Sequence, residues 1–317
     1  MMTPLSPAPA PVSAVPIGPS APKASGGWAT QLARLVRWEL FLAWRRRGMI
    51  ITLSALLLVG YAIVELFTWL SWVGLSDYPE AQDPIATLLT FPASISTAGQ
   101  YFGVVGTLFL IVLAGALVGS EYSFGTHRLS LARGVGRGQL VAAQVIAVAI
   151  LALIASGATL LLGSIVGAFG SVALGAGAAP SVSGIGELLV YWLAVALNAF
   201  AYALIALWIG TLGRSVAGAI AGPLVYIFVE VVATSLLGIF KFAPRPDALT
   251  RFISSIPDYL LGANASEVVQ LSGQAPYRLL EHTRQLGWAH SLIVVAVYCA
   301  LFIVSAYLVF RGRDARE

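Results

Sequence analysis

The chain has 317 residues, of which 58% are hydrophobic and only 10% are charged, and its formal net charge is +4. Soluble proteins carry about 25% charged residues, so this composition excludes a soluble domain with one ordinary core. Several apolar runs exceed the roughly 18 residues that suggest a membrane-spanning helix. The composition therefore predicts an all-α polytopic membrane protein.

Residues 1–26 are rich in Pro, Ala and Ser, which predicts a disordered tail. Residues 27–47 are amphipathic, although Trp38 and Phe41 fall on the polar side. The pattern predicts an interfacial helix on the inner leaflet, with its tryptophans at the lipid headgroups. The alternative is a basic anchor that only orients the first span. The polar arc of this helix consists of Thr30, Gln31, Arg34 and Arg37.

Six apolar runs predict a transmembrane domain of six helices within residues 48–310. Each run is long enough to cross about 30 Å of hydrocarbon at about 1.5 Å per residue. The third run is long for a simple span, which indicates either a tilt or a start in the cytoplasm. The approximate spans are 49–73, 97–119, 139–169, 185–212, 216–239 and 289–310.

The distribution of Lys and Arg predicts the orientation of these spans. With both termini inside, the inner segments hold 13 of the 18 basic residues, and the other five lie in one long outer segment, 240–288. The short outer loop SDYPEAQDP is purely acidic. By the positive-inside rule, we expect both termini, including the tail 311–317, in the cytoplasm of a bacterial cell, with the chain in its plasma membrane.

The outer segment 240–288 contains DALTRFISSIP, in which apolar residues recur at helical spacing. Asp247 is a predicted N-cap, and Pro257 is expected to end the helix. This helix is expected to rest on the outer membrane surface or to dip into it. It could act as an exit lid, or it could be a packing element over the bundle.

Polar side chains inside the spans are candidates for a translocation pathway, because charge in a bilayer core usually faces protein or water. The candidates are Asn198 and Tyr202 in the fourth span, and Tyr226, Glu230 and Thr234 in the fifth. They could form a substrate or proton site, or simply bond one helix to another. Two other carboxylates, Glu65 and Glu187, lie nearer the outer interface and are expected to snorkel to water.

Motifs of enzyme chemistry are missing from the sequence. There is no GxxxxGK[ST] P-loop, no HExxH and no CxxC, and the three histidines are dispersed. The chain is therefore expected not to be an enzyme, with no catalytic residue, no metal site, no bound cofactor and no nucleic-acid partner.

A charged segment, 120–138, separates the second and third spans, and we expect it in water. Glu121 is predicted to lie at a helix start, where its negative charge would interact favourably with the positive end of the helix dipole. Gly125 and Thr126 follow. Three basic residues, Arg128, Arg133 and Arg137, could meet an acidic groove on a partner, although a solvated turn obeying the positive-inside rule also explains them.

This segment resembles the loop after the second span in permease subunits of ABC-2 type transporters. The matching positions are Glu121, Gly125, Thr126, Leu129, Leu131 and Arg137. Two positions depart from the family pattern: Gly134-Val135-Gly136 stands where a Pro is usual, and Gln144 where a Lys is usual. The predicted interfacial helix, six spans and outer helices are also similar to that family.

The resemblance implies a permease subunit that exports a hydrophobic or amphiphilic substrate. It implies two copies of a separate ATP-binding subunit, which would bind ATP and Mg²⁺, and a second permease subunit in a homodimer or heterodimer. The segment 120–138 would then be the loop that couples the permease to the ATPase. Two alternatives stay open: an ion-coupled secondary transporter in which Glu230 titrates, and a non-transporting immunity or sensory protein in the membrane.

Overall fold

The computed structural model describes residues 27–123, 134–175, 182–242, 247–272 and 287–312. Within these residues the chain is helical and contains no β-strand. The predicted tail 1–26, the coupling-loop residues 124–133 and the end of the chain after residue 312 lie outside the described residues.

The described α-helices are numbered in chain order. They are α1 (Trp28–Arg45), α2 (Arg47–Gly74), α3 (Pro79–Leu89), α4 (Ala93–Tyr101), α5 (Thr107–Ser123), α6 (Arg137–Ala173), α7 (Val182–Gly213), α8 (Val216–Gly238), α9 (Ala248–Ser255), α10 (Leu261–Ser272) and α11 (Trp288–Gly312). A π-helix, Phe102–Gly106, joins α4 to α5, and 3₁₀ turns occupy Ile239–Phe242 and Ile256–Tyr259.

Six helical stretches among the described residues are long and apolar enough to cross a membrane. They are α2, the continuous run from α4 through the π-helix to α5, α6, α7, α8 and α11. Each begins and ends within four residues of a predicted span. The prediction of six spans is therefore confirmed. Consecutive spans run in opposite directions, so their connecting segments alternate between the two ends of the bundle. We call them the α1 end and the α10 end, after the shorter helix that packs at each.

The second span, Ala93–Tyr122, is the most enclosed of the six. It contacts the fourth span along α7, the fifth along α8 and the third along α6. The π-helix interrupts it, and the Phe102 ring there is fully buried. The Thr107 hydroxyl donates to the carbonyl of Gly103 at 2.7 Å, which satisfies a carbonyl at the irregular turn.

Helix α1 has two different faces, which accounts for its imperfect amphipathic pattern. Val36, Glu39 and Ala43 are buried on one face, which packs against α6. Trp38 and Phe41 are exposed. The aromatic residues that break the polar arc therefore point away from the bundle, where a lipid interface would accommodate them.

Helix α6 has 37 residues and is about 55 Å long, well beyond the thickness of a bilayer core. Its first turns pack against α1 and its last turns against α3 and α4. Its glycines allow close approach of a neighbouring helix, because a Cβ at Gly163 would lie 2.5 Å from the Cβ of Ala98. Gly222 on α8 likewise admits the side chain of Ile209 from α7.

The segment between the fifth and sixth spans forms two helices with different surroundings. The Asp247 carboxylate caps α9 by accepting from the Thr250 amide at 2.7 Å, and α9 ends before Pro257, both as predicted. Leu249 and Phe252 of α9 are exposed. Helix α10, in contrast, packs between α7 and α11 and buries Leu261. The sequence did not predict this helix inside the bundle.

Candidate functional site

Two carboxyl side chains meet at the α1 end of the bundle. Glu39 comes from α1 and is 3% exposed, and Glu121 comes from the last turns of α5 and is 8% exposed. Their side chains share a hydrogen bond. Burial, and then the neighbouring charge of Glu121, raise the pKa of Glu39 to about 9. Glu39 is therefore the protonated partner that donates, and Glu121 is the acceptor.

Two further side chains complete the bonding of Glu121. The Nε2 amide of Gln144, on α6, donates to Oε2 of Glu121 at 2.8 Å. Arg46, at the break between α1 and α2, donates to the carbonyl of Ala116 at 3.0 Å and to the hydroxyl of Ser120. Its positive charge also acts on Glu121. We call Glu39, Arg46, Ser120, Glu121 and Gln144 the α1-end cluster.

The position predicted for Glu121 is wrong in two respects. The side chain is buried rather than solvated, and it lies near the C-terminus of α5 rather than at a helix start. A carboxylate is unfavourable at the negative end of a helix dipole. Here the positive charge of Arg46 and the hydrogen bonds from Glu39 and Gln144 stabilise the carboxylate. Helix α1 packs on the end of α5, so Glu121 is bonded to protein groups rather than exposed to water.

The other predicted coupling residues are only partly described. Gly125, Thr126, Arg128 and Arg133 lie outside the described residues. Arg137 is the first residue of α6, and its guanidinium donates to the carbonyl of Arg311 at the end of α11. The end of the segment 120–138 is thereby held against the end of the sixth span.

A second contact ties the start of α6 to α1. The Gln139 amide donates to the side-chain oxygen of Gln31 at 3.3 Å, and the Gln139 oxygen accepts from the amide of Gly136 at 3.1 Å. Both helices that flank the segment 120–138 are therefore bonded to α1, one through Glu121 and the other through Gln139.

The second candidate site surrounds Glu230, where α10 begins inside the bundle. Oε1 of Glu230 accepts from the backbone amide of Gly262 at 2.5 Å, and Oε2 accepts from the Tyr202 hydroxyl at 3.1 Å. Gly262 is the second residue of α10, so the carboxylate satisfies a free amide at a helix N-terminus and faces the positive end of its dipole.

The structure brings together three of the five predicted pathway residues. Tyr202, Tyr226 and Glu230 form one group, with the two rings 6.4 Å apart in an edge-on arrangement. Asn198 lies one turn from Tyr202 along α7, and its amide is close to Gly103 of the π-helix. Thr234 is half-buried one turn beyond Glu230 and takes no part in the two hydrogen bonds to that carboxylate.

The prediction that Glu65 snorkels to water is wrong. Its side chain is 5% exposed, and its Oε1 accepts from the Tyr61 hydroxyl at 2.6 Å. The i to i+4 spacing of Tyr61 and Glu65 was a signal for this bond. Sequence reasoning also missed Glu39, which falls at the same helical register as Val36 and Ala43 on the buried face of α1. Glu187 is half-buried.

Within the described residues, no group of three or more His, Cys, Asp or Glu side chains could hold a metal ion. The six membrane-length helices and their buried polar contacts define an all-α polytopic membrane protein. Residues 77–316 match the family described as "Protein of unknown function (DUF2705)", and the chain belongs to that family. No curated protein matches the chain. The matched region includes Glu121 and Glu230, and it begins after α2.

Proposed function

We propose that the chain is the permease subunit of an ATP-driven exporter similar to ABC-2 transporters. In this proposal it pairs with a second permease subunit and with two copies of an ATP-binding subunit, which supply ATP and Mg²⁺ chemistry. The substrate is hydrophobic or amphiphilic. The complex lies in a bacterial plasma membrane with both termini, and thus the α1 end, in the cytoplasm.

The observation that carries this proposal is the contact of Glu121 with Glu39 and Gln144. Helix α5 ends two residues after Glu121, so the contact lies where the coupling segment leaves the second span. The segment enters the third span at Arg137, close to the contact between Gln139 and Gln31. A force applied to the segment by a partner would therefore reach α1 and two spans together. A loose turn would absorb such a force.

The basic residues of the segment supply the attraction in this proposal. Arg128, Arg133 and Arg137 would face an acidic groove on the ATPase, which gives orientation as well as attraction. An exposed ion pair contributes only about 0–1 kcal/mol, so one substitution should have a small effect and three together a larger one.

Pull-down of a P-loop ATPase encoded beside this chain's gene tests the proposal, together with substrate-stimulated ATP hydrolysis in nanodiscs. A variant with Arg128, Arg133 and Arg137 all replaced by Ala should lose ATPase binding and still run as a single species in detergent. Arg251→Ala, at the α10 end, is the control and should bind normally. Full binding and normal coupling in the triple variant would contradict the proposal.

The same preparations separate the two alternatives. Flux that follows an ion gradient and needs no ATP would favour the ion-coupled transporter. Absence of flux for every substrate class tested, with no ATPase bound, would favour a non-transporting membrane protein.

Cysteine labelling tests the proposed orientation independently. In a Cys299→Ala background, cysteines at Ser76 and Gln274 should react with an impermeant reagent added outside intact cells. A cysteine at Ser130 should react only after the membrane is opened. Reaction of the Ser130 position in sealed cells would reverse the topology.

A further inference from the structure

One buried carboxylate oxygen in the bundle has no partner. Glu65 lies nine residues before the C-terminus of α2, about 14 Å along the helix from its end. Its Oε1 accepts from Tyr61, but its Oε2 is buried and has no hydrogen-bond partner within the described part of the chain. A buried carboxylate oxygen without a donor is unfavourable, so this position calls for a ligand.

The facing helix α4 presents two more oxygens in the same condition. The Ser94 Oγ and the Thr97 Oγ1 are both buried without a hydrogen-bond partner among the described residues, and the Ser94 side chain is 0% exposed. Ser94, Thr97 and Tyr101 fall at i, i+3 and i+7, which is one face of the helix. That face meets α2, because the Tyr101 hydroxyl donates to the carbonyl of Leu56 at 3.2 Å.

Tyr61 connects the two sets of oxygens. Its hydroxyl lies 2.6 Å from Oε1 of Glu65 and 3.2 Å from the carbonyl oxygen of Ser94. A hydroxyl has one hydrogen to donate, and the shorter contact is to Glu65. The Tyr61 hydroxyl therefore lies between the carboxylate of α2 and the first turn of α4.

The third helix around this position places two glycines, which have no side chain, against Tyr61 and Ser94. Helix α6 passes with Gly163 and Gly167, and a Cβ at Gly163 would lie 3.2 Å from the Tyr61 hydroxyl. A Cβ at Gly167 would lie 1.9 Å from the Oγ of Ser94. The two glycines therefore let the backbone of α6 pass close to Tyr61 and Ser94.

No basic residue neutralises Glu65 from the helices packed around it. Residues 48–74, 79–89, 93–123 and 138–173 contain no Lys, Arg or His. The charged residues of α3, Glu80 and Asp83, are exposed and acidic. Arg47 and Arg137 lie at the opposite end of the bundle. The surroundings of Glu65 are therefore oxygen-rich and carry a single negative charge.

We propose that Glu65, Ser94 and Thr97 form a binding site for a small monovalent cation such as Na⁺. Carboxylate and hydroxyl oxygens are the ligands that hard cations prefer, and one carboxylate matches one positive charge. Binding would join α2 to α4 and would stabilise the folded protein in proportion to occupancy. This site does not depend on the proposed exporter function.

Thermal unfolding in detergent tests the site, with NaCl compared against choline chloride at the same ionic strength. Choline is too large to enter a closed contact between helices, so NaCl alone should raise the unfolding temperature, and the effect should saturate. Glu65→Gln keeps the shape and an acceptor for Tyr61 but removes the charge, so the NaCl effect should be lost. Glu187→Gln is the control and should retain the full effect.

A second variant keeps the test decisive if Glu65→Gln does not fold. Ser94→Ala leaves the charge in place and removes one oxygen ligand, so a higher NaCl concentration should be needed for half of the stabilisation. Equal unfolding temperatures in NaCl and choline chloride would overturn the proposal. A stability that depends only on pH would also overturn it, because a proton alone would then occupy the carboxylate. An undiminished NaCl effect in Glu65→Gln would place the cation elsewhere.

Discussion

The Nε2 amide of Gln144 donates a 2.8 Å hydrogen bond to Oε2 of Glu121 and so joins the end of the second span to the start of the third. Glu39 donates to the same carboxylate from α1. A glutamine at position 144 suits this position, because it adds a donor without adding a charge to the buried cluster.

Replacing Glu121 by Ala should destabilise the protein. The change leaves Gln144 and Glu39 buried without their acceptor, which typically costs about 1–3 kcal/mol in the free energy of unfolding. Unfolding in detergent, followed by circular dichroism, measures this loss. Glu80→Ala, at an exposed position of α3, is the control and should have little effect. Equal stability of Glu121→Ala and the unsubstituted protein would mean that the cluster does not hold α1 in place.

The protonation of Glu39 predicts a pH dependence of stability. The pKa of Glu39 is about 9 in the folded protein against an ordinary value of 4.5, so between these values the folded state holds a proton that the unfolded state lacks. Stability contributed by this group is therefore complete below pH 4.5 and falls as pH rises towards about 9, by at most about 1.4 kcal/mol per pH unit.

Glu39→Gln tests this pH dependence, because the amide remains a neutral donor to Glu121 at every pH. The variant should lose the decline in stability that the unsubstituted protein shows on going from neutral to alkaline pH. Glu80→Gln is the matched control and should retain the decline. Identical pH profiles for Glu39→Gln and the unsubstituted protein would show that Glu39 is not the group that loses the proton.

Glu230→Gln should loosen the start of α10. The carboxylate accepts from the Gly262 amide on one oxygen and from the Tyr202 hydroxyl on the other. In Gln one of these oxygens is replaced by an NH₂ donor, so in the same geometry one of the two donors loses its acceptor. Hydrogen exchange of the backbone amides in residues 261–264 should become faster. The same change at the exposed cap of α9, Asp247→Asn, should not affect α10. Unchanged hydrogen exchange in α10 would contradict this structural role. Glu230 would then remain a candidate pathway residue, and the pH dependence of flux would test that role.

Gly170→Ala should be strongly destabilising. A Cβ at this position would lie 2.0 Å from the backbone carbonyl oxygen of Leu89, so α3 and α6 would have to separate. Overpacking of this kind typically costs about 1–3 kcal/mol. Gly186→Ala is the matched control, because nothing lies within 4 Å of its Cβ position. It should be neutral or stabilising by up to about 1 kcal/mol, the gain in helix propensity. Similar stability of the two variants would contradict the close packing of α3 on α6.

The spans were predictable because a helix in a bilayer must be apolar over a fixed length, and that property is local in the sequence. Helix α10 was not predictable in the same way. It has only 12 residues, and it enters the bundle because Glu230, more than 30 positions earlier, satisfies its N-terminus. A contact of that kind depends on how the helices are arranged, and the residues of α10 alone do not reveal it.

The sequence identified Glu121 as a candidate site residue, but it did not predict that this side chain is buried or which groups surround it. Glu121 stood out as a charge between apolar runs, but its burial follows from the packing of α1 over the end of α5. Composition does not distinguish Glu39, since acidic residues among arginines are common in amphipathic helices. Only its register with Val36 and Ala43 distinguishes it. The pairing of two carboxyl groups from distant segments needs the tertiary structure.

The enclosure of the second span has a consequence for how this protein assembles in a membrane. Residues 102–119 of this span are apolar except for Thr107, so a lipid environment would accept this part alone as readily as its neighbours do. Misplaced spans would therefore meet little penalty from their apolar surfaces. The carboxyl groups of Glu121 and Glu230 differ, because each finds its donors on other segments only when the bundle is correctly joined. In an incorrectly joined bundle these carboxyl groups would lack their donors, so the few polar contacts favour the correct arrangement of the spans over its alternatives.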